Sequence, residues 1–543
     1  MPSGDTYRVA IIADAHFHDP TGDFAGVGIR IDGERLALRG WSEVEAAPRA
    51  VNESAAALRA ALDRIVVAGI RQVILAGDYT DDGQIETTHR LAALLHHYQN
   101  RKGLCFHAIP GNHDVFGSHG KHVSTRLLAA PGKTVLVTSD PGLDPEAIVT
   151  PAMRCQGMPA ALLPMAAFGL FRRAQDLHWE TPFGPSDAVE ARLYDATAAD
   201  GSVSHRLMDA SYLVEPEPGL WLLLIDANVF EPRTGRSDPA RKKAFLDPAD
   251  AGWNAVLRVK PFLLPWIANV TARARVMGKT LITVSHYPVL DPFQDIDRSE
   301  QTLFGQTSFA RRTPMPAVGK ALIAAGLNWH AGGHLHVSAL TRMTTESGTL
   351  TDVSLPSLVG FPPGFAVVHA DRGAAQPQVR AKIEPLDDLL PDPRLMALYA
   401  AEGRHGPGLR FGDFLAQQAR TRIRRHRIPA LWPQDLASRL ATMSVRDLVT
   451  LLGEPVPDQI GKTALASYPL IEMVTDAYLL REAGGRALNH IDQNRVRILR
   501  ALARSTGDAS ADPQASQAAF FRRFLSVLEV SFRRIDRRDD PTA

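Results

Sequence analysis

The sequence predicts an α/β layered protein followed by an all-α region, and two observations carry that expectation. Up to about residue 385, short β-rich runs alternate with stretches of helical periodicity, the pattern of stacked sheets and helices around a largely buried sheet. Beyond about 385 the strand signals stop and helical periodicity alone remains. A chain of 543 residues is long enough for more than one domain. Residues 1–385 are therefore assigned to one domain and 386–543 to a helical region of unknown role.

Taken in order, "RVAIIAD" reads as a strand ending in a carboxylate, and "AALRAALDRIVVAG" follows with helical spacing. The strand "QVILAGD", the helix "IETTHRLAALLHHYQ" and the strand "LCFHAIPGN" come next. From about 115 to 210 proline and glycine loosen the pattern. A structureless loop of that length does not suit a compact domain, so this is read as an insertion with short elements of its own. Strand character returns at "LWLLLIDANV", and a second insertion over about 230–260 precedes the helix "PFLLPWIANVTARARVMG". The strands "TLITVSHYP" and "GLNWHAGGHLH" and the β-rich "GFAVVHAD" complete the first region. The second holds "RFGDFLAQQARTRIRRHR", "TALASYPLIEMVTDAYLLREAGG", a polar linker "TGDASADPQASQ" and the amphipathic "AAFFRRFLSVLEVSFRRIDRR".

Composition excludes several function classes. Lys+Arg and Asp+Glu nearly cancel, 60 against 59, so no global field draws the chain to nucleic acid or anionic lipid. The two cysteines, Cys105 and Cys155, form neither a disulfide framework nor a paired metal-ligand pattern. The apolar run Val9–Ala13 is too short for a signal-peptide core, and no stretch approaches the roughly 20 apolar residues of a membrane span. The expected compartment is the cytoplasm.

Five strand ends carry polar residues suited to metals: Asp14-x-His16, Gly77-Asp78-x-x-Asp81, Gly111-Asn112-His113-Asp114, His286 in "VSHYP", and Gly333-His334-x-His336. Functional groups gather where the strands of an α/β sheet end, so all five can converge on one patch. Carboxylates, an amide oxygen and imidazoles, with no thiolate, suit Mn, Fe or Zn. Alternation along the chain does not choose between His16 and His18, which share a parity with Asp14.

In order, these motifs resemble the calcineurin-like metallophosphoesterase superfamily, whose pattern is D-x-H, G-D-x-x-D, G-N-H-D/E, a lone His and G-H-x-H. "VNESAAALRAALDRIVVAGIRQVILAGDYTDDG" and "ASYLVEPEPGLWLLLIDAN" are closest to the class III cyclic-nucleotide phosphodiesterase-like branch. The resemblance covers roughly residues 7–370 apart from the insertions. It implies a layered β-sandwich flanked by helices, and a site for two metal ions. Asp14, His16, Asp78 and His336 would hold the first metal, with Asp78 bridging. Asn112, His286 and His334 would complete the second. His16 rather than His18 is then the ligand beside Asp14, and His18 is expected at the rim. His113 would be left unliganded to protonate the leaving oxygen, while a hydroxide generated between two cations roughly 3.5–4 Å apart attacks phosphorus. Purple acid phosphatases place a tyrosine where this chain has Asp81, and lipid-A-pathway hydrolases place an arginine where it has His113.

Asp81 and Asp114 are expected to orient ligand histidines, and His119 and His122 to be substrate contacts or solvated loop residues in equal measure. The implied activity is hydrolysis of a small phosphodiester, a cyclic nucleotide or another, with phosphomonoesterase or nuclease activity on the same site as the alternative. Specificity is expected from the large insertions. A non-catalytic interaction scaffold is disfavoured, because every motif residue is retained. The run "RTRIRRHR" (420–427) is read as a solvated helix face balanced by nearby acids, ahead of a phosphate- or nucleic-acid-binding patch. The C-terminal helices are candidates for oligomerisation, and the last one for packing on protein ahead of a membrane surface.

Overall fold

The computed structural model describes residues 6–295, 298–373, 377–401, 409–453, 461–504 and 512–537. Strand β1 (Thr6–Ile12) opens the first sheet, and β2 (Gln72–Ala76) and β3 (Cys105–Ile109) follow it in parallel. The second sheet takes β4 (His178–Glu180), β5 (Tyr212–Glu217), β6 (Leu220–Ile225) and β7 (Thr280–Ser285). It is completed by β8 (Trp329–Gly332), β9 (Ala339–Thr345) and β10 (Gly348–Ser354). The chain then returns to the first sheet through β11 (Gly364–Asp371) and β12 (Val379–Pro385). The resulting orders are β12-β11-β1-β2-β3 and β9-β10-β8-β7-β6-β5-β4.

Parallel neighbours require crossovers, and helices supply them. Helix α1 (Ser54–Val67) links β1 to β2, and α2 (Ile85–Lys102) links β2 to β3. Helices α3 (Pro248–Val259) and α4 (Leu263–Val276) lie between β6 and β7, and α5 (Pro316–Ala324) between β7 and β8. Helix α2 buries Leu91, Leu94, Leu95 and Tyr98, one stripe at helical spacing. Strands β2 and β6 are buried along their whole length, as continuous apolar runs covered on both faces must be. The sheets are tied to each other by Tyr7 Oη donating to the Pro218 carbonyl (2.7 Å) and Tyr212 Oη to that of Ala108 (3.0 Å). This is the metallophosphoesterase sandwich, and the C-terminal ends of β1, β2, β3, β7 and β8 open along one edge of it.

The region 115–210 carries its own small sheets: Ser124–Ala130, Lys133–Thr138 and Ile148–Val149 in one, Leu193–Thr197 and Ser204–Met208 in another. A ribbon, Ile29–Ile31 with Glu34–Leu36, was not anticipated.

Past Pro385 the described residues are helical, including α6 (Phe411–Arg422), α7 (Leu470–Ala483) and α8 (Gln517–Asp536). The linker expected over 506–517 falls outside the described residues as far as 511. One continuous apolar cluster runs from Tyr7 to Phe532, so these helices share the core of the sandwich. Helix α7 is buried on every side from Met473 to Ala483. Phe520, Phe521 and Phe524 of α8 pack around Trp432 at centroid distances of 5.2, 6.0 and 5.2 Å. The amphipathic stripe thus faces protein. Among the described residues no helix is long and apolar enough to cross a membrane.

The 420–427 run departs from the expected solvated face. Arg420 pairs with Asp476 and Glu472, Arg424 with Glu472, Arg425 with Glu45, and Arg427 with Glu482. Most of these pairs are half-buried or buried, because α6 is wedged between the sandwich and α7 rather than lying on the surface.

Candidate metal centre

Backbone hydrogen bonds bring the first two motifs together. Past the end of β1, Asp14 N–H donates to Gly77 O (3.1 Å), His16 N–H to Asp78 O (2.9 Å) and Phe17 N–H to Tyr79 O (3.0 Å). The β3 end joins through His113 N–H, which donates to Asp78 Oδ1 (2.8 Å). The second sheet arrives through Gly333 N–H to His286 O (2.7 Å) and His334 N–H to Asp14 Oδ2 (2.9 Å).

Seven side chains are thereby gathered. His336 Nε2 lies 3.3 Å from Asp14 Oδ1 and 3.2 Å from His16 Nε2. His286 Nε2 lies 3.3 Å from Asp78 Oδ2 and 3.2 Å from Asn112 Oδ1. Three overlapping groups, Asp14–His16–His336, His16–Asp78–His113 and Asp78–His286–His334, each keep their donor atoms within 4.8 Å. Asp78 and His16 are the shared members of these groups, each of which could hold a metal ion.

The residues fit such ions on three further grounds. Asp14 Oδ1 is buried without a hydrogen-bond partner, and buried polar atoms normally have one. Asp14, His16, Asp78, His334 and His336 all hold φ between +43° and +69°, a left-handed backbone that costs about 1 kcal/mol or more per residue and collects at functional sites. The turns beneath are closed to side chains. A Cβ on Gly333 would stand 2.1 Å from Asp14 Oδ2, and one on Gly77, itself at φ +80°, would stand 2.6 Å from the His286 ring.

Electrostatics follow the same layout. Burial opposes the charge on Asp78, but His286 and His113 overcome it and hold the carboxyl well below its ordinary range. Burial opposes protonation of His286, yet Asp78 raises it to about 9. His16 and His334 are pushed well below the ordinary imidazole range, chiefly by burial. Neutral imidazoles are the form that binds metal.

The orienting partners are not those expected. His286 Nδ1 is 3.0 Å from the Ala76 carbonyl and His334 Nε2 is 2.9 Å from that of Ala249, so main-chain oxygens turn these rings. Asp114 instead accepts from Gly111 N–H, Thr80 N–H and Thr80 Oγ1, tying the ends of β2 and β3, and burial lifts its carboxyl to about 7. Asp81 is fully buried against Arg39 and Arg49. Both carboxylates brace the frame rather than a ligand histidine.

His18 is a correction too. It is 3% exposed, away from any rim, with Nε2 2.7 Å from the Ala37 carbonyl and its ring stacked on Phe24. The chain turns inward after Phe17, which carries His18 beneath the Ile29–Leu36 ribbon's flank instead of along the loop edge. His119 and His122 are exposed and bond locally, to Ser118 and to Ser139 and Arg154. Neither lines the cavity above the gathered residues.

Two functional neighbours were missed. Asp82 Oδ1 sits 2.7 Å from His113 Nδ1, and Arg49 Nη2 sits 3.4 Å from the same nitrogen. Burial works against the Asp82 charge, but His113 and Arg49 hold it far below the usual carboxylate range. The doubled acid in "TDDG" was the available signal, since a free histidine next to a reactive centre needs an acceptor for one ring nitrogen. A Ser285–His330–Asp352 chain (2.8 and 2.8 Å) has the look of a nucleophilic triad, but all three side chains are buried and Ser285 Oγ donates to the Tyr287 carbonyl. It anchors the turn that carries His286.

The cavity over the site measures about 210 Å³. Its walls include Arg49, Arg312 and Phe361, and its roof is formed by Leu415, Gln418, Ala419 and Arg422 of α6 with Glu482 of α7. Of the two insertions only Ala249 contributes, so the helical region, not 115–210, encloses the site. A larger void of about 680 Å³ between Phe293, Arg481 and Arg534 contains none of the seven gathered side chains.

Residues 7–142 match the family model described as calcineurin-like phosphoesterase. No curated protein matches the chain. Among solved structures it is similar to a dimetal phosphatase from Danio rerio, at 13% identity over 69% of this chain and 98% of that one, TM-score 0.35. It is also similar to a phosphopantetheinyl hydrolase from Mycobacterium tuberculosis, at 12% identity over 65% and 91%, TM-score 0.24. The family match spans the β1, β2 and β3 ends, and the fold sets His286, His334 and His336 against them. Over residues 7–142 the chain thus carries a calcineurin-like phosphoesterase domain, and the groups able to hold metal ions stand at the strand ends of that domain and on the second sheet facing them.

Proposed function

We propose that this phosphoesterase hydrolyses a small phosphodiester, a cyclic nucleotide or another of similar size, with two ions drawn from Mn, Fe and Zn. The observation that carries the reading is the enclosed cavity of about 210 Å³ directly above the metal-binding groups. That lies below the few hundred Å³ of typical ligand pockets and suits a compact ester. A nuclease would need an open basic groove that tracks a strand, and α6 lies across this cavity instead. Phe309, Leu335, Phe361 and Leu415 give the second ester arm an apolar wall.

Asp14, His16, Asp78 and His336 would hold one ion, and Asp78, Asn112, His286 and His334 the other. When bound, such a pair acidifies water and neutralises phosphoryl oxygens. The chain's own contribution centres on His113. Asp82 holds Nδ1 at 2.7 Å and fixes the ring, so Nε2, 4.0 Å from Asp78 Oδ2, faces the reacting centre as the nitrogen that would hand a proton to the leaving oxygen. Arg49, clamped by Asp81 and Asp82, keeps that pair in place. The roof limits bulk water around the transfer.

Protein loaded with Mn, Fe or Zn is expected to hydrolyse bis(p-nitrophenyl) phosphate and to lose that activity on chelation. Faster turnover of p-nitrophenyl phosphate would replace the diester reading with the monoester one. No turnover of either with Mn, Fe, Zn, Ni or Co would overturn both.

A further inference from the structure

The roof of the cavity carries more positive charge than its partners neutralise. Leu415, Gln418, Ala419 and Arg422 follow one another at helical spacing, so a single face of α6 looks down on the metal-binding groups. Among the described residues the guanidinium of Arg422 makes no hydrogen bond; its one ionic neighbour is Glu482 Oε2 at 3.9 Å. Glu482 is held through its other oxygen by Arg427. Among the described residues Arg427 has no second ion pair, and nearby Glu300, which acts on it at longer range, is paired with Arg481. Among the described residues the ion pairs of these three guanidiniums thus fall on two carboxylates, Glu482 and Glu300, and the longest and weakest of them is left to Arg422, the one that opens into the cavity. Burial pulls the basicity of Arg422 down. Across the cavity Arg312 repeats the pattern, since it shares Asp250 with Arg311.

By contrast Arg49, the third arginine of the lining, is compensated by Asp81 and Asp82. The phosphoryl group belongs at the opposite wall, with the metal-binding side chains and His113. A guanidinium fork that is desolvated, unsatisfied and open matches a carboxylate or phosphate bidentately. We propose that Arg422, assisted by Arg312, binds a second anionic group of the substrate, so that this enzyme selects small phosphodiesters whose non-leaving arm carries a carboxylate or a phosphate. This inference rests on the phosphodiesterase reading for its reaction, but not for its binding step.

The test compares p-nitrophenyl diesters with four second arms: carboxymethyl, phosphoethyl, the neutral p-nitrophenyl and the cationic choline. Wild type should favour one or both anionic arms over the choline arm by at least about 10-fold in kcat/KM, and the two anionic arms distinguish carboxylate from phosphate. Arg422→Ala should erase that preference through KM, lowering kcat/KM for the anionic arms by more than for bis(p-nitrophenyl) phosphate, and Arg422→Lys should restore part of it. Arg425→Ala, on the same run but outside the cavity, should leave every arm unchanged. An equal loss on all four arms, or no preference in wild type, overturns the proposal. Should Arg422→Ala fail to fold, Arg312→Ala and the wild-type preference decide it. Calorimetry with phosphonocarboxylates of two to four carbons against inorganic phosphate reads the same site without turnover. Tighter binding of the phosphonocarboxylates, lost in Arg422→Ala, would uphold the anion site even if no diester is cleaved. Absence of that difference would sink the site even if the diesterase reading stands.

Discussion

The two sides of the cavity are built on opposite plans. The lower side consists of acceptors: carboxylates, an amide oxygen and imidazole nitrogens, set on left-handed turns at strand ends and locked by main-chain hydrogen bonds. The upper side consists of donors: guanidiniums on helices, divided among too few carboxylates. The first arrangement suits cations and the second anions, and a phosphoric ester is a molecule that needs both. Rigidity differs as well. A strand end held by backbone bonds to two sheets cannot shift its ligands without breaking the sandwich. A helix face held by ion pairs and apolar packing tolerates changes to single contacts.

The largest expected effect therefore lies below. Asp78→Asn removes the charge proposed to bridge the two ions, and bound metal by elemental analysis should fall with activity, by more than about 100-fold, the cost already associated with disturbing an outer metal partner. Retained metal with full activity would break the contrast at its centre. His113→Gln should keep both metals yet lower kcat by about 10²–10⁴-fold, since only the proton transfer is removed. If it empties the site instead, His113 belongs with the ligands.

The joint between the two sides is tested by pH. Glu53, buried beneath the helical region, accepts a hydrogen bond from Tyr399 and has a second oxygen without a partner. Burial lifts its carboxyl to about 7, and the Tyr399 bond offsets that only in part. The folded state therefore holds the proton more tightly than the unfolded chain. Stability should fall as pH rises from about 4.5 to about 7 and then level off, by at most about 3 kcal/mol. Glu53→Gln should flatten that slope in thermal melts; an unchanged slope would mean the joint does not titrate.

The smallest effect separates the histidines of "DAHFHD". His16→Ala should lose metal, while His18→Ala should keep it and lose about 1–3 kcal/mol of stability, because the Ala37 carbonyl is left unpaired. Metal loss in His18→Ala would reverse the two roles.

How much of this was legible in the chain follows from how each feature is encoded. The ligand positions stand at short, constant offsets from apolar runs, so a local motif marks each one, and five motifs in order mark a shared edge. Asp82 was hidden by its neighbour: Asp81 occupies the motif position, yet the turn after β2 points Asp81 at Arg39 and Arg49 and gives His113 to Asp82. His18 shares a parity with His16, but the chain leaves the extended path after Phe17, and parity holds only while a strand continues. Arg422 sits in a run of five arginines and one histidine whose members look alike in sequence. The four neighbouring arginines are paired with Glu45 and with acids on α7, and which one is left over depends on helices far apart in the chain.

By itself, then, the sequence determined the alternation of strands and helices, the strand-end motifs and the chemistry of their donors, because each is a property of neighbouring residues. Only the tertiary structure decided which carboxylate serves which partner, that α6 covers the site, and that the surplus charge of the roof rests on Arg422. Those depend on balancing charges between segments hundreds of residues apart, and no local pattern records that balance.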